Sequence, residues 1–331
     1  MTTTPKTTLP EEFSTYTREI MGEQRWTRFA EAMGEEPPVS VRLNPMKFRS
    51  DSMALPAEED EPVEWCREGR YLKERPMFTL DPLLHAGAYY VQEAASMYIT
   101  QVIRDHAPAD RPLMVLDLCA APGGKSTAMR SVLPEGSLLM TNEPMRPRAN
   151  ILMENIQKFG HPDVIVTNNY AIDYQRSRLQ FDVILADVPC SGEGMFRKDE
   201  GAIREWSVAN VKKCAALQRE IITDIMPCLR DGGLLVYSTC TYNRQEDEEN
   251  VDFICSEWQM EKLSERHFIP GETRSEGLYM AALRQTGSDA SQRTTISMLD
   301  SSATKKDKKQ KRRGTRSHPR NRYLQYRSHH Y

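Results

Sequence analysis

The segment at residues 113–127 constrains the fold of this chain more than any other. It reads Leu-Met-Val-Leu-Asp-Leu-Cys-Ala-Ala-Pro-Gly-Gly-Lys-Ser-Thr, an apolar run that ends in a Pro-Gly-Gly turn before a helix-forming stretch. A strand, a glycine-rich loop and a helix in this order present backbone N–H groups to a ligand at the start of the helix. The segment therefore predicts the first strand–loop–helix unit of a ligand-binding α/β fold.

Further predicted strands and helices alternate after this unit. The strands are predicted at residues 136–142, 164–168, 181–187 and 234–239, and the helices at residues 146–159, 209–229 and 246–257. A hairpin-like pair is expected near residues 267–270 and 277–284. This alternation predicts a Rossmann-like, doubly wound and mostly parallel α/β sheet with helices on both faces.

The chain divides into three predicted regions. Residues 1–80 are expected to form a small α+β accessory domain, with one helix over residues 8–35, a strand from Val39, an acidic loop at residues 51–62 and two short strands before residue 80. Residues 81–285 form the main domain, whose first helix is predicted to run from Gln92 to about Asp105. Residues 286–331 show no periodicity and are predicted to be a basic low-complexity tail without order.

Charge is distributed unevenly along the chain. The formal net charge is −3, but residues 304–331 alone contain eleven Lys or Arg and one Asp, which leaves 33 basic and 46 acidic residues elsewhere. An acidic body with a basic tail fits a polyanionic partner, and it fits a solubilising tail equally well.

Composition argues against several classes of protein. No run of 18 apolar residues and no apolar signal segment occurs, which predicts a cytoplasmic protein that does not cross a membrane. The seven cysteines form no Cys-x-x-Cys pair, so the sequence gives no support for a zinc or other metal site.

Three ligands suit the glycine-rich loop, and the loop alone does not decide between them. A phosphate-binding P-loop needs Gly-x4-Gly-Lys-[Ser/Thr]; Gly124-Lys125-Ser126 fits, but Cys119 stands where the first glycine belongs. A dinucleotide fingerprint needs a glycine spacing that the loop lacks. The third ligand is S-adenosylmethionine, whose carboxylate and amine suit backbone N–H groups and a nearby carboxylate. Glu143, at the end of the second strand, is placed to bind the ribose hydroxyls of an adenosine.

Two cysteines follow neighbouring predicted strands. Cys190 lies three residues after the strand at residues 181–187, and Cys240 lies one residue after the strand at residues 234–239. Open parallel sheets bind ligands at this edge. A thiol with a pKa near about 8.5 is mostly protonated at pH 7, so a nucleophilic cysteine needs help from its surroundings. Either cysteine alone is best interpreted as a buried thiol, but two of them beside Asp187 favour catalysis.

Three ordered motifs resemble those of one family. They are residues 119–125 (Cys-Ala-Ala-Pro-Gly-Gly-Lys), 187–192 (Asp-Val-Pro-Cys-Ser-Gly) and 238–242 (Ser-Thr-Cys-Thr-Tyr). Together they resemble the RNA 5-methylcytosine methyltransferases of the Nop2/Sun family, over roughly residues 8–285. Residues 86–93 and 193–198 look most like the bacterial branch that acts on small-subunit ribosomal RNA. The resemblance implies a class I methyltransferase fold with S-adenosylmethionine as the cofactor.

The resemblance also assigns roles to residues. Cys240 is the expected nucleophile that adds to C6 of cytosine, Cys190 the second catalytic thiol, and Asp187 the group between methyl donor and base that stabilises charge at N3. The residues that it places on the methyl donor are Cys119, Ala120, Ala121, Pro122, Gly123, Gly124, Lys125, Glu143, Arg148 and Asp187.

The chain departs from the family pattern in two places. Where the family often has an Asp that binds the adenine amine, this chain has Asn168-Asn169, so Asn169 is the candidate substitute. Where related bacterial enzymes continue into further RNA-binding domains, this chain ends in its basic tail, which either replaces those contacts or marks a truncated chain. The expected partner is RNA, either as 16S ribosomal RNA or within a 30S particle. The protein itself is expected to be a monomer. A transfer RNA substrate, a non-catalytic ribosome assembly factor and a P-loop nucleotidase are the alternatives.

Overall fold

A computed structural model describes residues 9–286, and its helices and strands follow one another in a mixed order. The helices are α1 (Glu11–Met21), α2 (Glu23–Ala32), α3 (Pro82–His85), α4 (Ile99–His106), α5 (Gly124–Arg130), α6 (Arg146–Phe159), α7 (Ala171–Ser177), α8 (Glu200–Glu205), α9 (Val208–Ile225) and α10 (Glu248–Trp258). The strands are β1 (Val39–Leu43), β2 (Glu59–Pro62), β3 (Gly69–Leu72), β4 (Tyr89–Val91), β5 (Met114–Asp117), β6 (Leu138–Asn142), β7 (Val164–Thr167), β8 (Phe181–Asp187), β9 (Leu229–Thr239), β10 (Met260–Phe268) and β11 (Leu278–Gln285).

The larger sheet has seven strands in the order β10-β11-β9-β8-β5-β6-β7. Strands β5 to β9 run parallel, whereas β11 pairs antiparallel with β9 and β10 antiparallel with β11. The chain leaves β5 towards β6 and β7 on one side, then returns to place β8 and β9 on the other. The predicted doubly wound, mostly parallel fold is confirmed, and the carboxyl ends of its central strands meet at one edge.

The central strands are buried on both faces, which explains their uninterrupted apolar sequences. Val183 and Leu185 of β8 belong to one core with α4 and α5, while Ile184 and Ala186 belong to a second core with α7, α9 and α10. All four side chains are fully buried. Successive strand residues therefore anchor opposite layers of helices, and the position of the sheet's carboxyl edge is fixed from both sides.

A smaller antiparallel sheet, ordered β2-β3-β1-β4, lies N-terminal to the main sheet. Its last strand, Tyr89–Val91, lies beyond the boundary at residue 80 that we predicted for the accessory domain. Arg42 of β1 is 1% exposed and donates to Gln92 Oε1 at 2.8 Å and to Thr127 Oγ1 of α5 at 2.6 Å. The accessory sheet is thereby hydrogen-bonded to the helix that follows the glycine-rich loop.

The N-terminal helices pack against the segments that follow both candidate cysteines. The ring of Phe13 lies 4.9 Å from that of Phe196, and the ring of Phe29 lies 5.1 Å from that of Tyr242. Offset and edge-on aromatic pairs at these distances contribute about 0.5–1.5 kcal/mol each beyond their burial. The N-terminal helices therefore support the segments that follow Cys190 and Cys240.

Several local predictions were wrong for identifiable reasons. The helix expected over residues 8–35 is broken at Gly22, whose φ of +76° is incompatible with a continuous helix. The predicted loop at residues 51–62 contains β2, an edge strand whose four residues are all exposed, so it has no alternating apolar signal. Helices α7 and α8 were not predicted at all. The helix expected from Gln92 is a 3₁₀ turn at Ala95–Tyr98 followed by α4.

Other element boundaries moved by a few residues. Strand β9 begins at Leu229, five residues before the prediction. In the terminal hairpin, β10 is longer than predicted and begins at Met260, whereas β11 agrees with the predicted residues 277–284 to within one residue. The basic tail lies outside the described residues, apart from residue 286. Within residues 9–286, every helix is too short or too polar to span a lipid bilayer.

Candidate active site

The glycine-rich loop connects β5 to α5 at the carboxyl edge of the main sheet. Gly123 has a φ of +111°, and a Cβ there would lie 3.2 Å from Leu152 Cδ1, so the position favours glycine. Two loop carbonyls are fixed from α6, because Arg148 Nη2 donates to Ala121 O at 3.1 Å and Asn155 Nδ2 donates to Pro122 O at 2.8 Å. The loop shape is thus held by protein contacts rather than formed by a ligand.

Two further loop residues, Ala120 and Gly124, connect the loop to β6 and α5. The Ala120 N–H donates to Asn142 O at 2.8 Å, and Gly124 begins α5. Cys119 is partly exposed to the crevice, where burial and the negative charge of Glu143 raise the pKa of its thiol. A thiol that stays protonated suits a contact with a ligand better than a nucleophilic role.

Glu143 follows β6 and is only 2% exposed. Burial raises the pKa of its carboxyl, although Arg148, whose Nε lies 3.7 Å from Oε2, and the Met145 N–H at 2.9 Å from Oε1 oppose the increase. A buried carboxylate at the end of the second parallel strand is well placed to accept hydrogen bonds from a ribose diol. Arg148 thus positions both the loop and this carboxylate.

Asp117 ends β5 beneath the loop and is completely buried. Ser126 Oγ donates to its Oδ2 at 2.6 Å, while Oδ1 has no hydrogen-bond partner among the described residues. Burial, reinforced by the nearby charge of Asp187, raises the pKa of Asp117 to about 7 against the opposing effects of Ser126 and Lys125. An unpartnered buried acceptor next to a ligand loop marks a position for a donor group such as an amine.

The raised pKa of Asp117 predicts a pH-dependent stability effect. The folded chain keeps the Asp117 proton up to about pH 7, whereas the unfolded chain loses it near its usual pKa, so stability falls as the pH rises between these values. One pKa unit corresponds to about 1.4 kcal/mol. We expect Asp117→Asn to raise the free energy of unfolding by about 2–3 kcal/mol more at pH 8 than at pH 5, as measured by chemical denaturation.

Asp182, at the opposite end of the sheet, provides a matched control with the opposite sign. Burial raises the pKa of Asp182, but Arg111 at 2.9 Å, the Met114 N–H and Arg230 at 2.6 Å outweigh it, so the net pKa is lowered. Asp182→Asn should therefore destabilise the fold at pH 8 and progressively less as the pH falls. A stability change for Asp117→Asn that is identical at both pH values would contradict the assignment of a buried, protonatable Asp117.

The two candidate cysteines lie side by side. Asp187 of β8 pairs with Ser238 of β9 in the parallel register, so the segments after both strands start at the same level. Cys190 Sγ and Cys240 Sγ are 2.9 Å apart, and the Cys240 N–H donates to Cys190 Sγ at 3.3 Å. The contact with the Cys240 thiol, together with burial, raises the pKa of Cys190 well above its usual value. Cys190 is therefore a protonated thiol that becomes a strong base once it loses its proton.

Lys125 links the ligand loop to the cysteines. Its Nζ donates to Asp187 Oδ2 at 2.9 Å. Burial lowers the pKa of Lys125, but the charge of Asp187, their hydrogen bond and the nearby Cys240 thiol raise it by more, so the net pKa is above its usual value. Lys125 is consequently a persistent cation, and it brings positive charge to the space beside Cys240 and Asp187.

One cavity of about 300 Å³ joins these groups. Seven predicted residues are part of its lining, namely Cys119, Ala121, Lys125, Arg148, Asp187, Cys190 and Cys240. Asn169 is not part of the lining, and its backbone N–H and C=O are bound by the Asn142 side chain at 3.0 and 2.9 Å. The loop and both cysteines are thus brought together, and Asn169 lies beside the end of β6.

Sequence reasoning missed several residues of the same cavity. Glu93, Lys198 and Glu276 also line it, and the Glu276 N–H donates to Glu93 Oε1 at 2.9 Å. These positions are separated by up to 183 residues in the chain. Glu93 and Lys198 end the two segments, residues 86–93 and 193–198, that resemble the bacterial branch, but the resemblance gave them no role, and Glu276 lies in no motif. Lys198 Nζ lies 3.7 Å from Glu276 Oε1, so the missed residues add one cation to the mouth of the crevice.

A group of metal-ligand residue types lies behind the Cys240 loop. In the described part of the chain, Asp247, Glu248 and His267 bring candidate ligand atoms within 4.8 Å of one another. Protein contacts account for much of this group, because Thr241 Oγ1 donates to Asp247 at 3.0 Å and His267 Nε2 lies 3.1 Å from Glu248. Asp247, Glu248 and His267 do not line the crevice.

Comparison with known proteins places this chain in a family. The family model described as 16S rRNA methyltransferase RsmB/F matches residues 106–284, and the model for the N-terminal domain of 16S rRNA methyltransferase RsmF matches residues 9–94. The chain belongs to the RsmB/F methyltransferase family. This membership confirms the resemblance drawn from the three motifs, and it confirms S-adenosylmethionine as the cofactor of the family.

Curated relatives of the RsmB/F family agree with this placement. The chain is 33% identical over 310 residues to Ribosomal RNA small subunit methyltransferase F of Pectobacterium atrosepticum, covering 85% of this chain and 63% of the relative. It is 35% identical over 251 residues to the protein of the same name from Salmonella heidelberg, covering 72% and 52%. The chain thus spans less than two thirds of the length of these relatives.

Solved structures share the RsmB/F fold. A structure described as NSun6 from Pyrococcus horikoshii with SFG superposes with a TM-score of 0.73 at 18% identity, over 84% of this chain and 99% of that one. A methyltransferase homolog protein from the same organism gives a TM-score of 0.68 at 22% identity, over 83% and 100%. At these identities the likeness concerns the fold alone.

The residues of this RsmB/F site fit S-adenosylmethionine. Glu143 offers a buried carboxylate for the ribose, and Asp117 offers a buried oxygen that has no other partner in the described region. The ribose hydroxyls and the amine of the donor thus each have a complementary carboxylate at the carboxyl edge.

Proposed function

We propose that this chain transfers a methyl group from S-adenosylmethionine to C5 of a cytosine in RNA, through a covalent bond between Cys240 Sγ and C6 of the base. The observation that carries the proposal is the pair of thiols 2.9 Å apart, which share a crevice with the Lys125–Asp187 pair and the donor loop. Binding of the methyl donor alone does not require two adjacent thiols at the carboxyl edge. They fit a reaction that both forms and breaks a covalent enzyme–base bond.

The chemistry explains why each residue is needed. C5 of cytosine is a weak nucleophile, and addition of the Cys240 thiolate to C6 makes it reactive. Lys125 and Asp187 lie where they can stabilise the charge that develops on the base, with Lys125 supplying a cation that is already desolvated. When bound, S-adenosylmethionine supplies an electrophilic methyl group. For release, Cys190 first gives up its own proton to solvent. The resulting thiolate accepts the C5 proton, the C5–H electron pair restores the C5=C6 double bond, and the C6–Sγ bond breaks to return the Cys240 thiolate.

The expected substrate is 16S ribosomal RNA. Both curated relatives described above carry the name of a small-subunit ribosomal RNA methyltransferase, and we extend that substrate to this chain. Methyl transfer from labelled S-adenosylmethionine to 30S particles, protein-free 16S RNA and transfer RNA tests it. We expect label in one or both of the ribosomal substrates and none in transfer RNA. Label only in transfer RNA would favour the second candidate substrate, and label in none would favour an assembly factor.

The donor site predicts selective binding of S-adenosylmethionine over ATP. Lys125 is paired with Asp187 at 2.9 Å, and that carboxylate would repel a phosphate at the same position. Cys119 also replaces the first glycine of a P-loop. By isothermal titration calorimetry we expect S-adenosylmethionine to bind at least 100-fold more tightly than ATP. The reverse order would support a nucleotidase instead.

A further inference from the structure

A buried glutamate in the Cys190 segment holds the backbone of the Cys240 segment. Glu193 lies three residues after Cys190, and its Oε2 accepts the Tyr242 N–H at 2.7 Å. Its Oε1 accepts from Trp206 Nε1 at 3.0 Å, and its side chain is almost completely buried. The hydrogen bond runs from one cysteine segment to the other.

A second buried glutamate makes the reciprocal contact. Glu246 lies six residues after Cys240, and its Oε2 accepts the N–H of Ser191, the residue after Cys190, at 3.0 Å. The same oxygen accepts from Gln218 Nε2 at 2.7 Å, and Gln218 Nε2 also donates to the carbonyl of Pro189 at 3.0 Å. Glu246 therefore holds the Cys190 segment on both sides of the thiol.

One amide joins the two carboxylates. Asn243 Nδ2 donates to Glu193 Oε1 at 3.1 Å and to Glu246 Oε1 at 2.8 Å, and Asn243 Oδ1 accepts the Glu246 N–H at 2.9 Å. All three side chains are at most 1% exposed. The arrangement closes a ring of hydrogen bonds around the base of the two thiols, in addition to the direct bond from the Gly194 N–H to Cys240 O at 2.9 Å.

These contacts are unusual because two carboxylates are buried without a cation. Within residues 9–286, neither Glu193 nor Glu246 has a Lys, Arg or His nitrogen within 4 Å. Burial, reinforced by the charge of Glu193, raises the pKa of Glu246 to about 7, while its Ser191 and Asn243 donors oppose the increase. Burying two carboxylates in this way is unfavourable for stability, and a positioning role accounts for their presence.

We propose that Glu193 and Glu246 are positioning residues that form a reciprocal clamp between the two cysteine segments and fix the contact between the Cys190 and Cys240 thiols. The proposal rests on the proposed function where it concerns catalysis. The clamp has two arms, each made by one glutamate. Glu246 fixes the backbone beside Cys190, and Glu193 fixes the backbone beyond Cys240.

Isosteric variants separate the two arms. In Glu246→Gln or Glu193→Gln, the new amide nitrogen must face an N–H donor, so one contact of the ring is lost without a change of volume. We expect Glu246→Gln to lower kcat at least tenfold and to accumulate covalent enzyme–RNA adduct, because release by Cys190 fails. We expect Glu193→Gln to lower kcat similarly without adduct, because attack by Cys240 fails. The Kd for S-adenosylmethionine should stay within twofold, since the donor loop is separate.

A chemical probe tests the clamp without RNA. Diamide oxidises two adjacent thiols to a disulfide and takes up their two hydrogens, and peptide mass mapping measures the Cys190–Cys240 product over time. We expect the rate of disulfide formation to fall at least tenfold in both glutamine variants, because the thiols are no longer held together. Cys190→Ala supplies the background, and Asn243→Ser, which removes the shared donor, provides a milder variant if either glutamine variant folds poorly.

Asp182→Asn is the stability control. It removes a carboxylate that is also buried, at the far end of β8, and should destabilise the fold while leaving both the disulfide rate and kcat within twofold of wild type. Unchanged disulfide rates in the clamp variants, with kcat within twofold, would overturn the proposal. If the wild type methylates no RNA but the disulfide rates fall as expected, the proposed function fails and the clamp stands.

Discussion

Cys240→Ala is expected to lower methyl transfer to RNA by more than about 1,000-fold, because removing a covalent nucleophile eliminates the pathway that it opens. The Kd for S-adenosylmethionine should remain within twofold of wild type. The donor groups on the 119–125 loop and at Glu143 do not depend on the Cys240 thiol, although all of them lie at the same sheet edge. Labelled-methyl transfer under single-turnover conditions, with calorimetry for the donor, measures both quantities.

Cys228→Ala provides the matched control for this loss. Cys228 is another free thiol, 2% exposed, and it lies before β9, at the opposite end of that strand from Cys240. Its replacement should lower stability through the cavity left in the core and leave the rate of transfer nearly unchanged. If Cys240→Ala retained more than a tenth of wild-type activity, the assignment of Cys240 as the nucleophile would be wrong.

Cys190→Ala should have the opposite effect on the covalent intermediate. With Cys240 intact the bond to C6 forms, but without the second thiol the C5 proton is not removed and the bond persists. The 2.9 Å contact between the two sulfur atoms places Cys190 close enough to the same base to act in this step. We expect a slowly migrating protein–RNA species on denaturing gels that accounts for most of the enzyme in the presence of donor and RNA.

The double variant identifies the bond in that species. Cys190→Ala combined with Cys240→Ala should show no slowly migrating band, since the nucleophile is absent. A band that survives in the double variant would show that another residue is attached to the RNA. A Cys190→Ala single variant that turns over normally and forms no adduct would remove Cys190 from the release step.

Sequence patterns predicted those parts of the site that depend on topology. The carboxyl ends of parallel strands share one edge, so Cys190 and Cys240 were expected to lie together although they are 50 residues apart. The loop at residues 119–125 was identifiable for the same reason, because its glycines follow an apolar strand. Family membership then confirmed the donor that the loop alone had left undecided.

The clamp residues were not predictable from local sequence. Glu193 follows a Ser-Gly turn, and Glu246 lies in the run Gln-Glu-Asp-Glu-Glu, where carboxylates normally face solvent. Their burial results from the packing of α1, α2 and α9 around the cysteine segments, which only the tertiary structure reveals. The same holds for the Lys125–Asp187 pair, which joins residues from two different strand ends.

The edge strand β2 and the break between α1 and α2 were not predicted, for a different reason. Strand β2 is acidic and exposed, so neither burial nor alternation marks it, and its pairing with β3 alone makes it a strand. The break at Gly22 was hidden because apolar residues keep a helical spacing on both sides of it. Asn169, proposed for the adenine amine, instead has its backbone fixed by Asn142, and its role in donor binding stays a prediction.

The central claim is methylation at C5 of cytosine, and the chemical identity of the product tests it most directly. RNA that has been methylated in vitro with deuterium-labelled S-adenosylmethionine is digested to nucleosides and analysed by mass spectrometry against authentic standards. The thiol pair and the Lys125–Asp187 pair predict labelled 5-methylcytidine, absent with Cys240→Ala. Label recovered instead as N4-methylcytidine, a 2′-O-methylated nucleoside or a methylated purine would contradict the account.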